Sequence, residues 1–122
     1  MRDQSFRGHI QNLEQQGELL RIDKETDPSS NVSAIGWKTY DQFGKSTLFT
    51  NLKGFPGWRV ASQVITDRLK WAIGLGVHEE EVIPTVVERI KAPREPILVD
   101  SPDAPVKEII LRGEDADLTK LP

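Results

Sequence analysis

The residues best suited to chemistry fall in a few short stretches. Gly44-Lys45-Ser46 has the ending of a phosphate-binding loop, where backbone N–H groups and a lysine cradle phosphate oxygens. Such a loop needs a glycine five positions before the Gly-Lys pair and a helix after it. Thr39 holds the first position and an apolar strand follows, so the phosphate reading fails. Gly74-Leu75-Gly76 suggests a dinucleotide fingerprint, but Glu79 stands where its third glycine belongs. The pair also closes a predicted helix instead of opening one, which makes it a helix cap. His9 and His78 share no spacing that would bring them to one metal, and both read as solvated surface residues. Glu79-Glu80-Glu81 reads as an acidic first turn favoured by the helix dipole. Nothing marks a second carboxylate with a raised pKa for acid–base work. Trp37, Trp58 and Trp71 read as core or interface residues, with Trp58 the exposed one, placed in a turn to make a contact.

The elements that would position these residues are organised around residues 48–62. Leu48 and Phe49 open an apolar run, Arg59 to Ser62 forms a second, and Gly54, Pro56 and Gly57 lie between them. Two glycines and a proline in four residues signal a turn, so the stretch reads strand, turn, strand. Before it, Phe6, Ile10 and Leu13 mark one face of a helix over 4–16, capped by Asp3 or Ser5 and ended by Gly17. A strand over 19–22 follows. Asp27-Pro28 breaks the chain, and Ser29 or Ser30 starts a second helix reaching Phe43, with Val32, Ile35, Tyr40 and Phe43 buried and Gly44 as its stop. After the hairpin, Asp67 caps a third helix with Leu69, Ala72 and Ile73 inward. Val82, Val86 and Ile90, with Ile83 and Val87 beside them, predict a fourth helix. Pro84 either sits in its first turn or splits a short turn from it. Pro93 and Pro96 bracket a linker, and residues 97–99 and 106–111 are predicted strands, with Pro102 and Pro105 bounding the loop between them. Residues 113–122 read as a connection.

The expected fold class is therefore α/β (α+β): a small mixed sheet with strands over 19–22, 48–51, 59–62, 97–99 and 106–111, and about four helices. The division is a domain over 1–112 and a linker over 113–122. With 122 residues the chain is one domain, large enough for a core without staples. Its 37% hydrophobic and 29% charged content is that of a globular chain. A net charge of −3 argues against nucleic acid as a partner. No apolar run approaches the roughly 20 residues of a membrane span, and the N-terminus lacks the apolar segment of a signal peptide. The absence of cysteine removes disulfides, thiolate metal sites and cysteine nucleophiles, and fits a cytoplasmic protein.

Several stretches, taken in order, carry a family likeness. Phe6, Ile10 and Leu13 fit an opening helix. Gly17-Glu18-Leu19-Leu20-Arg21-Ile22 fits a Gly-Glu-Leu-x-Arg-Ile strand, and Asp27-Pro28 a Val-Asp-Pro turn. Leu48-Phe49-Thr50-Asn51-Leu52-Lys53-Gly54 fits Leu-Phe-Glu-Asn-Val-Lys-Gly, and Asp67-Arg68-Leu69 to Leu75-Gly76 fits an Arg-x-Arg-x-Ala-x-x-Leu-Gly helix. Residues 115–122 are similar to a Val-Asp-Leu-x-x-Leu-Pro lead-in. In this order and spacing the chain resembles the N-terminal domain of the UbiD-type decarboxylases, the prenylated-flavin-dependent carboxy-lyases. Thr50, Asn31 and Thr66-Asp67 depart from the family's Glu, Glu and Gly-Ser, which bears on subfamily and substrate.

The resemblance covers the front of a longer sequence. It implies a domain packed beside a flavin-binding domain of split-barrel kind, in a homo-oligomeric parent. That parent would remove carbon dioxide reversibly from aromatic, heteroaromatic or α,β-unsaturated acids. It would use prenylated FMN, a divalent metal at the flavin phosphate and a Glu–Arg–Glu constellation. All of those residues are expected beyond Pro122, so no catalytic, cofactor-binding or metal-ligating residue is assigned within 1–122, and no cofactor is expected on this fragment alone. The linker-like end favours a piece of such a decarboxylase over a stand-alone binding or regulatory module. The lack of a visible acid–base or nucleophile constellation weighs against an unrelated small enzyme.

Overall fold

Helix α1 (Phe6–Gln15) forms where Ser5, in extended backbone, accepts a hydrogen bond from the Gly8 N–H at 3.0 Å. It ends where Gly17 turns left-handed at φ 75° and the Glu18 N–H reaches back to the Leu13 carbonyl at 2.8 Å. The description comes from a computed structural model and covers residues 3, 5–100 and 104–122. Gln4 of the predicted first helix and Pro102 of the predicted C-terminal loop lie outside it.

Strand β1 (Leu19–Ile22) runs parallel to β2 (Ser46–Phe49), which pairs antiparallel with β3 (Val60–Ser62). The order is β1-β2-β3, a mixed sheet as expected. Between β1 and β2 lies α2 (Asn31–Phe43), a crossover of the kind a parallel pair requires. Asp27 accepts from the Ser29 N–H and hydroxyl in the turn that leads into it. Ser30 stands at the N-cap position, but its side chain makes no capping bond. Gly44 stops α2 in the left-handed region at φ 67°.

The period-two alternation of strands sorts the sheet's side chains onto two faces. Leu19 and Leu48 face α1 and α3 (Arg68–Leu75), where they pack with Leu13 and Ile73. Phe49 faces α2 and packs with Val32 and Leu52. The result is three layers, α1 with α3, then the sheet, then α2. Gly36 of α2 sits so close to the sheet that an added Cβ would come within 2.6 Å of the Ser62 Oγ and 3.1 Å of its Cβ. Asp67 caps α3 by accepting from the Lys70 N–H at 2.9 Å, and Gly76 ends it at φ 75°. A single 3-10 turn, Glu79–Glu81, leads into α4 (Val82–Lys91), and the Glu81 carboxylate accepts from the His78 N–H at 2.9 Å. Pro84 falls in the first turn of α4, the first of the two predicted alternatives.

Several expectations need correction. Residues 97–99 and 106–111 are not strands: the first stretch has no regular structure, and the second opens in a 3-10 turn, Pro105–Lys107. Their β-branched composition supplies propensity, but no neighbouring strand supplies a ladder. Phe43 is exposed in the last turn of α2, and Tyr40, one turn earlier, is the residue that reaches inward to Asp67. Phe6 is also largely exposed, although Leu13 on the same face is fully buried. The strand predicted over 48–51 is in fact two residues earlier, with Ser46 and Thr47 fully buried.

Candidate functional site

The stretches that resembled ligand loops are both occupied by structural work. Gly44 donates its N–H to the Tyr40 carbonyl at 2.7 Å and Gly76 to the Ala72 carbonyl at 2.8 Å, so both are helix caps. The Ser46 hydroxyl, inside the sheet, donates to the Gln63 carbonyl at 2.8 Å. Neither stretch leaves convergent N–H groups for a phosphate. Among the described residues no group of three His, Asp or Glu side chains could hold a metal ion.

His9 corrects the surface reading. Its Nε2 is 2.8 Å from the Val64 carbonyl, tying α1 to the loop after β3, and its Nδ1 is buried without a hydrogen-bond partner. Gly74 makes room for the ring, since an added Cβ would lie 3.3 Å from it. His78 is exposed, as expected, ahead of the acidic turn.

Lys70 is the buried charge that sequence reasoning missed. Only 1% exposed, its Nζ donates to the Gly44 carbonyl at 2.6 Å and to Asp67 Oδ2 at 2.5 Å. Glu18 Oε2 lies 4.0 Å away, and the Tyr40 ring centroid 5.2 Å. Burial pushes the Asp67 carboxyl up, but hydrogen bonds from the Lys70 ammonium and N–H, its charge, and the Tyr40 hydroxyl hold it below the usual carboxylate range. Two acceptors lie within hydrogen-bond reach of the ammonium, and Glu18 adds a more distant counter-charge. The cluster pins α3 to the end of α2 and the start of β1, and it offers no nucleophile. Its only signal in the sequence is the spacing of Asp67 and Lys70, i and i+3 at a helix start.

A groove of about 660 Å³ lies between α1, the sheet and the turn after β2. One wall is α1, through Phe6, Arg7 and Glu14. The floor is the row Arg21, Leu48 and Ala61, which are aligned across the three strands. The other wall is the turn carrying Trp58 and Arg59. Trp58 is 46% exposed, so the predicted contact residue does line an open surface. Trp37 and Trp71 are equally accessible, so none of the three is a core residue. Arg21 pairs with Glu14 at 3.2 Å, while Arg7 and Arg59 have no ion-pair partner among the described residues. Three arginines against one glutamate make the groove cationic on a chain of net charge −3. It is open to solvent, suited to a protein segment more than to an enclosed small molecule. Sequence reading missed the grouping because Arg7, Arg21 and Arg59 come from three separate elements.

Residues 10–90 match the family model of the 3-octaprenyl-4-hydroxybenzoate carboxy-lyase N-terminal domain. Ferulic acid decarboxylase 1 of Candida dubliniensis is 32% identical over 96% of this chain and 26% of its own length. The enzyme of the same name from Saccharomyces cerevisiae is 33% identical, again over 96% of this chain and 26% of its own length. Among solved structures, an evolved dimeric form of the UbiD-class enzyme HmfF from Pelotomaculum thermopropionicum, in complex with prFMN, superposes with a TM-score of 0.79. That match has 33% identity and covers 97% of this chain and 27% of the other. Vanillic acid decarboxylase of Sedimentibacter hydroxybenzoicus, at 24% identity and TM-score 0.73, shares the fold over 89% of this chain and 25% of its own. The chain thus spans about a quarter of the length of the relatives it matches.

Proposed function

Since the chain belongs to the UbiD family of carboxy-lyases and carries that family's N-terminal domain, we propose that it is the structural front domain of a longer decarboxylase. The parent removes carbon dioxide reversibly from aromatic, heteroaromatic or α,β-unsaturated carboxylic acids with prenylated FMN and a divalent metal. It works in the cytoplasm as a homo-oligomer. The observation that carries this reading is collinear similarity over 96% of the chain to decarboxylases about four times its length. The flavin, metal and proton-transfer residues then belong to the rest of the parent. This is in keeping with glycine stretches spent on helix caps and a buried lysine spent on structural acceptors. The domain contributes by packing against the flavin-binding domain, with residues 113–122 leading into it and Trp58 at the contact. The Arg7, Arg21 and Arg59 groove suits an acidic, partly apolar face there.

The test purifies the 122-residue chain and the extended protein from cells that make prenylated FMN. Each is scanned for flavin absorbance and assayed for carbon dioxide release from a panel of aromatic and acrylic acids. The extended protein is expected to do both and the chain neither. Stoichiometric flavin on the chain, or none on the extended protein, would overturn the reading.

A further inference from the structure

Two stretches of the C-terminal third have strand composition and no sheet. Residues 97–99 are Ile-Leu-Val, and residues 106–111 contain Ile109-Ile110-Leu111. Ile97 and Leu98 are 89% and 94% exposed, and Ile109 is 74% exposed. An exposed apolar run on this scale marks a surface that is covered in the assembled protein. None of these residues pairs with β1 or β3, the two edges of the domain's own sheet.

We propose that these two stretches are strands which add to a sheet of the downstream flavin-binding unit, joining the two domains by backbone pairing. The proposal rests on the parentage given above. Three observations choose this occupant. First, the N-terminal domain match ends at residue 90, whereas similarity to the full-length relatives covers 96% of the chain. The stretches therefore lie beyond the matched part of the front-domain model but within the similarity shared with the longer relatives. Second, apolar residues run consecutively instead of alternating. A strand with apolar residues on both faces is one covered on both faces, inside a layered unit. Two copies of this chain pairing edge to edge would leave at least one such face in water. Third, Pro93, Pro96 and Pro105 flank the stretches, preventing helix continuation and limiting the register in which each can pair. Strand addition to a preformed edge uses the backbone for affinity and alternate side chains for fit.

Hydrogen exchange read by mass spectrometry tests this on the 122-residue chain and on the extended protein, with sedimentation of both. In the chain, amides of 97–99 and 106–111 are expected to exchange nearly as fast as in an unfolded peptide, and the chain to sediment as a monomer. In the extended protein the same amides are expected to slow by about 100-fold or more, as ladder amides do. Fast exchange there, in a protein that binds flavin, overturns the strand addition and leaves the parentage standing. Protection in the chain alone, with concentration-dependent dimers, overturns it in favour of a second copy. Slow exchange in an extended protein without flavin supports the pairing and overturns the flavin reading instead.

Discussion

Lys70 shows what one side chain can hold together. A lysine this buried is tolerated because its ammonium donates to the Gly44 carbonyl and to Asp67, with the Glu18 carboxylate 4.0 Å away and the Tyr40 ring beside it. Lys70→Met keeps the stem but strips the Gly44 carbonyl and Asp67 of their donor. The expected loss is about 1–3 kcal/mol in denaturant melts, the usual cost of leaving a buried polar group unsatisfied. Asp67 makes the same cluster pH-dependent. Its folded pKa lies below the ordinary 3.8, so the unfolded chain takes up the proton first. The stability it contributes is full above about pH 4 and is lost as pH falls through the folded pKa. Asp67→Asn is therefore expected to be less stable than the native chain at pH 7. The gap should narrow below about pH 4, which melts taken from pH 2.5 to 7 would show. A constant gap would assign the effect to the lost cap alone.

The helices are held by unequal means, and substitutions at their contact points should cost accordingly. Leu13 is fully buried between α1 and the sheet, packed with Leu19, Leu48 and Ile73. Leu13→Ala is expected to cost about 2–5 kcal/mol in denaturant melts. Gly36→Val tests the close approach of α2. Its new atoms meet Ser62, whose Cβ cannot rotate away at 3.1 Å, so overpacking of about 1–3 kcal/mol is expected from the same melts. Helix α4 is the loosest of the four. Val82 is buried, but Ile83, Val87 and Ile90 are exposed, so its apolar face is only partly used.

For the whole molecule, the last buried apolar residue is Val82, at the start of α4. Both apolar clusters draw only on residues between Ile10 and Ile73. A chain cut after Ala92 is therefore expected to unfold within about 0.5 kcal/mol of the full 122 residues, as changes remote from the core do. Circular dichroism melts would reveal any contribution of the last thirty residues. A large loss would mean that they cover part of the core.

How much was legible beforehand follows the range of the interactions. Helix α1, the Asp67 cap and the Gly44 and Gly76 stops depend on residues within one turn of each other, and the sequence alone determined them. So did the central hairpin, whose turn lies among Gly54, Pro56 and Gly57, and the order of motifs that marks the family. Only the tertiary structure decided that Lys70 is buried, that His9 ties α1 to the Val64 carbonyl, and that Arg7, Arg21 and Arg59 share one groove. It also decided that residues 97–99 and 106–111, apolar and β-branched, do not join this sheet. The physical reason is that caps and turns are closed by local hydrogen bonds. Burial and strand pairing instead depend on which distant segment arrives opposite, and propensity carries no information about the partner.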